Sequence, residues 1–159
     1  MKILVVSDTH GRIKNFEKIL DMEEPIDMLI HLGDLEGDED YINAFLNCTV
    51  HLVGGNNDFF SSLPREQEFY IKDKKVFITH GHHYYINRGI EGIEAAGKSK
   101  GADIVMFGHT HVPCFLEKDG MIFLNPGSVT YPRQTGRDPS YMIITVDESG
   151  KFEFEQKYL

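Results

Sequence analysis

Five short, mostly apolar runs in this chain stop in the same way, each at a polar or glycine-containing turn that carries Asp, His or Asn. Lys2-Ile3-Leu4-Val5-Val6 leads into Ser7-Asp8-Thr9-His10-Gly11, residues 26–32 into Gly33-Asp34, and residues 49–53 into Gly54-Gly55-Asn56-Asn57-Asp58. Residues 76–79 lead into His80-Gly81-His82-His83, and residues 104–107 into Gly108-His109-Thr110-His111. Runs this short and this rich in Val and Ile, apolar at successive positions, read as strands covered on both faces. That restricts the chain to a layered α/β architecture. In open α/β sheets ligands gather beyond the carboxyl ends of strands, where all five turns lie.

The intervening segments fit such layers. Ile13, Phe16, Ile19 and Leu20 recur at helical spacing over 13–22, and a short helix over 41–47 turns Ile42, Phe45 and Leu46 inward. A third helical segment over 87–100 carries Ile90, Ile93 and Ala96 on one side. Residues 34–40 form an acidic loop in which Asp34 alone follows a strand, the rest reading as solvated. Residues 61–68 read as a polar loop around Pro64, followed by a hairpin that turns at Asp73-Lys74-Lys75. Beyond His111 come short strands over 112–117, 121–124, 140–147 and 151–158, with a rigid turn at Asn125-Pro126-Gly127-Ser128.

A chain of 159 residues is expected to make one domain over 1–159, with a full hydrophobic core. No run reaches the roughly 18–20 apolar residues of a membrane span, and no signal peptide is visible, so a cytoplasmic location without membrane contact is expected. Cys48 and Cys114 form no spaced motif and read as buried free thiols. A net charge of −9 with no offsetting basic run argues against strong nucleic-acid binding.

The chemistry lies in the turns. On extended backbone, His109 and His111 would point the same way, as would Asp8 and His10, because side chains alternate at period 2. Each junction alone has an ordinary reading as a cap, a turn or a surface histidine. Together Asp8, His10, Asp34, Asn56, His80, His109 and His111 offer two carboxylates, four imidazoles and one amide oxygen. One ion takes about four to six ligands, so this set suggests two ions sharing a bridge.

As a set, Asp8-x-His10, Gly33-Asp34, Gly55-Asn56-x-Asp58, Thr79-His80-Gly81-His82 and Gly108-His109-Thr110-His111 resemble the five-block signature of the calcineurin-like metallophosphoesterases. With Asn125-Pro126-Gly127-Ser128, the match is to the small bacterial and archaeal phosphodiesterases of that superfamily, over residues 3–130. The resemblance implies a four-layer α/β/β/α sandwich of two mixed sheets. It implies one metal on Asp8, His10 and His111, a second on Asn56, His80 and His109, and Asp34 between them. It favours Mn²⁺, while the mixed ligand set also admits Ni²⁺, Zn²⁺ or Fe. The implied reaction is hydrolysis of a small phosphodiester by a metal-bridging hydroxide. Two divalent ions, two ligand carboxylates and a hydroxide leave the cluster with about one net positive charge, so an acidic protein can still hold the anion.

One position departs from the pattern. Many members carry a histidine after the Asn ligand, whereas Asn57 stands here, and an amide cannot be a general acid. Small phosphodiesterases of this branch often lack that histidine too. Asn57 and His82 are therefore the candidates for leaving-group and phosphate contacts, with His83 beside them. Tyr84, Tyr85 and Tyr131 are candidates for the pocket wall. The alternatives are a phosphomonoesterase, a mononuclear metal-storage protein, or a non-catalytic scaffold, since a retromer subunit shares the implied fold. Homo-oligomers are common among such small sandwiches.

Overall fold

The computed structural model describes residues 1–159. Its elements run β1 (Lys2–Val6), α1 (Lys14–Glu23), β2 (Met28–His31), α2 (Glu39–Phe45), β3 (Thr49–Leu52), β4 (Glu66–Ile71), β5 (Lys74–Thr79), α3 (Glu91–Lys100), β6 (Ile104–Met106), β7 (Cys114–Lys118), β8 (Met121–Asn125), β9 (Ser140–Val146) and β10 (Phe152–Tyr158). Two 3-10 turns, His82–Tyr84 and Ile86–Arg88, precede α3.

The strands form two five-stranded mixed sheets, ordered β10-β9-β1-β2-β3 and β4-β5-β6-β8-β7. Within the first, β1, β2 and β3 are parallel, with β9 and β10 antiparallel beside them. Within the second, β5, β6 and β8 are parallel and flanked by antiparallel β4 and β7.

Alternation along the strands explains why the apolar runs are continuous. Ile3 and Val5 face the second sheet, meeting Ile78, Ile104 and Met106 in a core between the sheets. Leu4 and Val6 face the other way, onto Phe16, Ile19 and Leu20 of α1 and Ile42 of α2. On the outer face of the second sheet, Phe77, Val105 and Phe123 pack on Ile93 of α3. Three cores separate four layers, the α/β/β/α sandwich expected from the sequence. No helix is long and apolar enough to cross a membrane.

Several local expectations are corrected. Phe45 is 63% exposed rather than inward, because α2 ends at Phe45 and only Ile42 is buried on it. Strand β4 begins at Glu66, inside the stretch read as a loop, because its edge position tolerates polar residues. The hairpin turns at Lys72-Asp73, and both following lysines belong to β5. Helix α3 starts at Glu91, since Gly89, at φ 145°, breaks any helix begun at Asn87. The two cysteines are unpaired, as expected, but only half-buried.

Candidate metal centre

Parallel β1, β2 and β3 deliver their following loops to one edge of the first sheet, and parallel β5 and β6 do the same in the second. The loops are stitched to one another by backbone bonds. The Asp8 amide donates to the Gly33 carbonyl at 3.0 Å, His10 to Asp34 at 2.9 Å, and Gly108 to His80 at 3.2 Å. These bonds reverse the chain abruptly. Asp8, His10, Asp34, His109 and His111 all adopt left-handed backbone, with φ between 49° and 68°. The extended geometry expected for Asp8/His10 and His109/His111 is therefore wrong. The side chains converge because the chain turns after each strand. Left-handed backbone costs about 1–2 kcal/mol per non-glycine residue, and Asp and His tolerate it better than most.

Buried polar side chains hold the turns. Asn125 donates to the Gly108 carbonyl at 2.8 Å and to Thr110 Oγ1 at 3.0 Å, while its own carbonyl accepts from the Gly127 amide at 2.8 Å. Ser128 donates to the Asp8 carbonyl at 3.0 Å and accepts from the amides of Thr130 and Tyr131. Asp58 accepts from the amides of Gly55 and Glu36, both at 2.7 Å, which makes it a loop pin. His31, buried under the loops, links Thr9 to the Gly33 amide.

Asp8, His10, Asp34 and His111 bring one ligand atom each within 4.8 Å of one another. His80 joins them, its Nε2 lying 3.5 Å from Asp34 Oδ1 and 3.2 Å from Asn56 Oδ1. Three of the imidazoles are fixed through Nδ1. His10 donates there to Glu36 at 2.6 Å, His80 to the Leu32 carbonyl at 2.7 Å, and His111 to the Tyr131 carbonyl at 2.7 Å. In the neutral tautomer each then turns an Nε2 lone pair inward. Those of His10 and His111 face each other at 3.4 Å, and His111 Nε2 is 3.0 Å from Asp8 Oδ1. Asp8 is fully buried, and its Oδ1 has no hydrogen-bond donor.

Lone pairs converging on buried carboxylates without donors between them are what a bound cation requires and what an empty polar core avoids. The donor set of imidazole, carboxylate and amide oxygen suits first-row divalent ions. His109 stands at the edge of this group. Its ring is 5.1 Å from His80, and its Nε2 meets the Asn87 amide at 2.8 Å. That leaves Nδ1 as its available nitrogen. With the Asn87 amide turned over, the carbonyl accepts Nε2–H and Nδ1 keeps its lone pair.

A sequence profile described as a calcineurin-like phosphoesterase superfamily domain matches residues 1–149. The chain belongs to that superfamily. A probable metallophosphoesterase of Methanothermobacter thermautotrophicus is 35% identical over 152 residues, covering 92% of this chain and 87% of that protein. A phosphodiesterase of Methanocaldococcus jannaschii is 33% identical, covering 80% and 83%. Among solved structures, a predicted phosphoesterase of Streptococcus pneumoniae superposes with a TM-score of 0.84 at 30% identity, over 99% of this chain and 88% of the other. Vps29 of Entamoeba histolytica, complexed with Zn²⁺, superposes with a TM-score of 0.78 at 26% identity, over 99% of each chain.

The electrostatics of this buried group follow from burial and contact. Burial pushes the Asp8 carboxyl up, but a hydrogen bond from His111, in the form that carries hydrogen on Nε2, and the charge on His80 outweigh it and hold it below its ordinary value. Burial likewise opposes ionisation of Asp34, which His80 and Asn57 reverse, keeping it well below the carboxylate range. His80 is raised, because Asp34 and Asp8 overcome its burial, and a proton there occupies the place a cation would take.

The two candidates for leaving-group contact are placed differently. Asn57 donates from its backbone to Asp34 Oδ1 at 2.9 Å and from its side chain to Asp34 Oδ2 at 2.7 Å, so it steadies that carboxylate. His82 lies 5.3 Å from the His80 ring and 6.0 Å from His109, with its Nδ1 buried and unpartnered. Burial and the neighbouring imidazoles lower it to about 4, so it is neutral at pH 7. His83 packs at a tilt against His82, Tyr84 bonds Glu66 and packs on Phe77, and Tyr85 is exposed. Tyr131 alone of the three tyrosines reaches the centre, its ring 5.1 Å from His10. Glu36, read from sequence as solvated, instead orients His10. No local motif marks Asn87, whose contact with His109 spans 22 positions.

Proposed function

We propose that this chain is a metal-dependent phosphodiesterase with a dinuclear centre. The observation that carries the reading is the buried group of acceptors, with Asp8 Oδ1 unpartnered and imidazole lone pairs turned toward it. In this reading Asp8, His10 and His111 hold one divalent ion, Asn56, His80 and His109 hold the other, and Asp34 serves both. Such a pair supplies Lewis-acid polarisation of a phosphoryl group and an acidified water at neutral pH. Mn²⁺ is the proposed activating ion. The chain works as one domain over 1–159, and its unpaired thiols fit a reducing compartment such as the cytoplasm.

The chain's own residues do the positioning. Glu36 and the carbonyls of Leu32 and Tyr131 fix three imidazole tautomers, the kind of support whose loss typically costs 10–100-fold in metal affinity or activity. Asn57 holds both oxygens of Asp34, and its one remaining side-chain N–H can donate a hydrogen bond but cannot protonate a leaving group. His82, neutral and bordering the centre, is positioned to contact a phosphate oxygen through one N–H. With no strong acid at hand, diesters with good leaving groups are the favoured substrates. The phosphodiesterase name of a relative supports the diester over the monoester. The likeness to Vps29 supports a second reading, a protein-binding scaffold.

The test is hydrolysis of bis(p-nitrophenyl) phosphate and p-nitrophenyl phosphate by metal-stripped protein, with and without Mn²⁺, alongside Asp34→Asn and His109→Ala. Mn²⁺-dependent diester turnover lost in both variants, with two ions bound per chain, is expected. Turnover confined to the monoester would make the chain a phosphatase. Folded protein inert with every divalent metal would put the scaffold first.

A further inference from the structure

Twenty-five acidic residues outnumber the chain's 16 lysines and arginines, and lysines are the cations that take the carboxylates. Lys2, Lys74, Lys75, Lys98, Lys100, Lys118, Lys151 and Lys157 all make ion pairs. None of the five arginines makes one, and three of them, Arg12, Arg133 and Arg137, gather on one flank of the metal centre. A groove of about 550 Å³, within the range of ligand sites, is lined by His10, His111, Tyr131, Arg133 and Arg137. Its floor is therefore two of the proposed metal ligands, and its wall is cationic.

The wall is built into the fold. The Arg133 backbone donates to the His111 carbonyl at 3.0 Å, which ties the arginine to the turn that carries the ligand. Arg137 is set in left-handed backbone at φ 54°, in a turn closed by its amide on the Gln134 carbonyl at 3.1 Å. Asp138, the carboxylate that follows it, pairs with neither arginine. On the near side the Arg12 guanidinium lies 4.9 Å from the centre of the Tyr131 ring, which also packs edge-on against His10 at 5.1 Å. Arginine is the side chain best matched to phosphate oxygens, through parallel N–H donors and a weakly hydrated charge. A second groove has the reverse polarity, and its Glu36 reaches His10. Glu36, Glu39 and Asp58 line its volume of about 340 Å³ with Phe59 and Phe60. An anionic extension of the substrate is favoured by the arginine-lined groove and disfavoured by the acidic one.

We propose that Arg12, Arg133 and Arg137, arranged about Tyr131, bind a second phosphate of the substrate, so that the chain selects phosphodiesters bearing a further phosphate, as nucleotides do. The inference rests on the phosphodiesterase reading for its floor, but the wall can be measured without turnover. The acidic surface elsewhere favours a small molecule over a long nucleic acid, whose many phosphates would meet repulsion.

The experiment is calorimetric titration of the Mn²⁺-loaded protein with thymidine 3′,5′-bisphosphate and with thymidine 5′-monophosphate. The bisphosphate is expected to bind about tenfold tighter or better. That preference is expected to shrink toward unity in the Arg133→Gln/Arg137→Gln double variant, and to fall by part in Arg12→Gln. Lys151→Gln, which removes an exposed cation paired with Glu153, should keep it. Equal affinities in the wild type, or a preference that survives the double variant, would overturn the proposal. The same pair is then compared as p-nitrophenyl esters at the 5′-phosphate. Binding preference without turnover would remove the phosphodiesterase reading and leave the anion wall, whereas turnover without preference would do the reverse. The arginine side chains make no ion pair or hydrogen bond within the fold, and thermal melting verifies that the variants are folded.

Discussion

Gly54 and Gly55 are neighbours in one turn, yet alanine should be harmless at the first and damaging at the second. A Cβ on Gly54 meets the Leu63 carbonyl at 3.5 Å and the Leu63 Cβ at 3.6 Å, ordinary contact distances. Neither glycine is among the residues with positive φ, so neither position demands glycine for its backbone. Gly54→Ala is therefore expected to lie within about 0.5 kcal/mol of wild type, or to gain up to about 1 kcal/mol from a stiffer unfolded chain. A Cβ on Gly55 instead overlaps the Asp34 amide nitrogen and Oδ1 and lies 2.9 Å from Asp34 Cγ. Two of those atoms belong to the carboxylate proposed to serve both ions, and the third is backbone, which has no rotamer to yield. Relief requires the loops after β2 and β3 to separate by about 1 Å. Such overpacking costs roughly 1–3 kcal/mol, and a misplacement of that size can cost about 100-fold in rate. Thermal melts, metal analysis and diester hydrolysis on both variants decide it. Equal behaviour of the two variants, or a Gly55→Ala protein with full metal content and rate, would refute the reasoning.

Two further outcomes are expected. Buried Glu23 on α1 accepts from Lys2 at 2.7 Å, Lys157 at 2.6 Å and Tyr141 at 2.8 Å. Burial works against its charge, but these donors hold its pKa down to about 2 from 4.5. A depressed acid stabilises fully above its unfolded value and loses that contribution as pH falls from about 4.5 toward 2. The size is about 3 kcal/mol, trimmed to about 2 by screening at the partly exposed lysines. Urea unfolding at pH 7, 5 and 3 should show this acid limb, and Glu23→Gln should flatten it while lowering stability at pH 7; a limb of unchanged size in the variant would be contrary. Glu36→Ala frees the His10 ring from its orienting acceptor, so competition with a chelating dye should show Mn²⁺ affinity reduced about 10–100-fold with little change in melting temperature. Unaltered affinity would mean that His10 is oriented by something else.

The apolar runs by themselves determined the strands, because a run such as Ile3-Leu4-Val5-Val6 is unstable unless both its faces are covered. They also determined which residue types stand at the strand ends, and with them the family resemblance. Local sequence did not determine what covers each face. Ile3 and Leu4 are alike in character, but one meets a second sheet and the other a helix, a choice made by elements a hundred residues apart. Nor did it determine the backbone of the ligand turns. Asp8 and His10, expected on extended backbone, are left-handed in the fold, because hydrogen bonds to Gly33 and Asp34 outweigh the local preference. Glu36 looked solvated for the same reason, its partner His10 being 26 positions away. The arginine wall was invisible at the level of sequence. Arg12, Arg133 and Arg137 are isolated cations in an acidic chain, and only the packing of the loop after β8 against the turn after β1 sets them around one ring. Residue chemistry is written locally, whereas direction and company are set by contacts between distant segments, and a binding site depends on both.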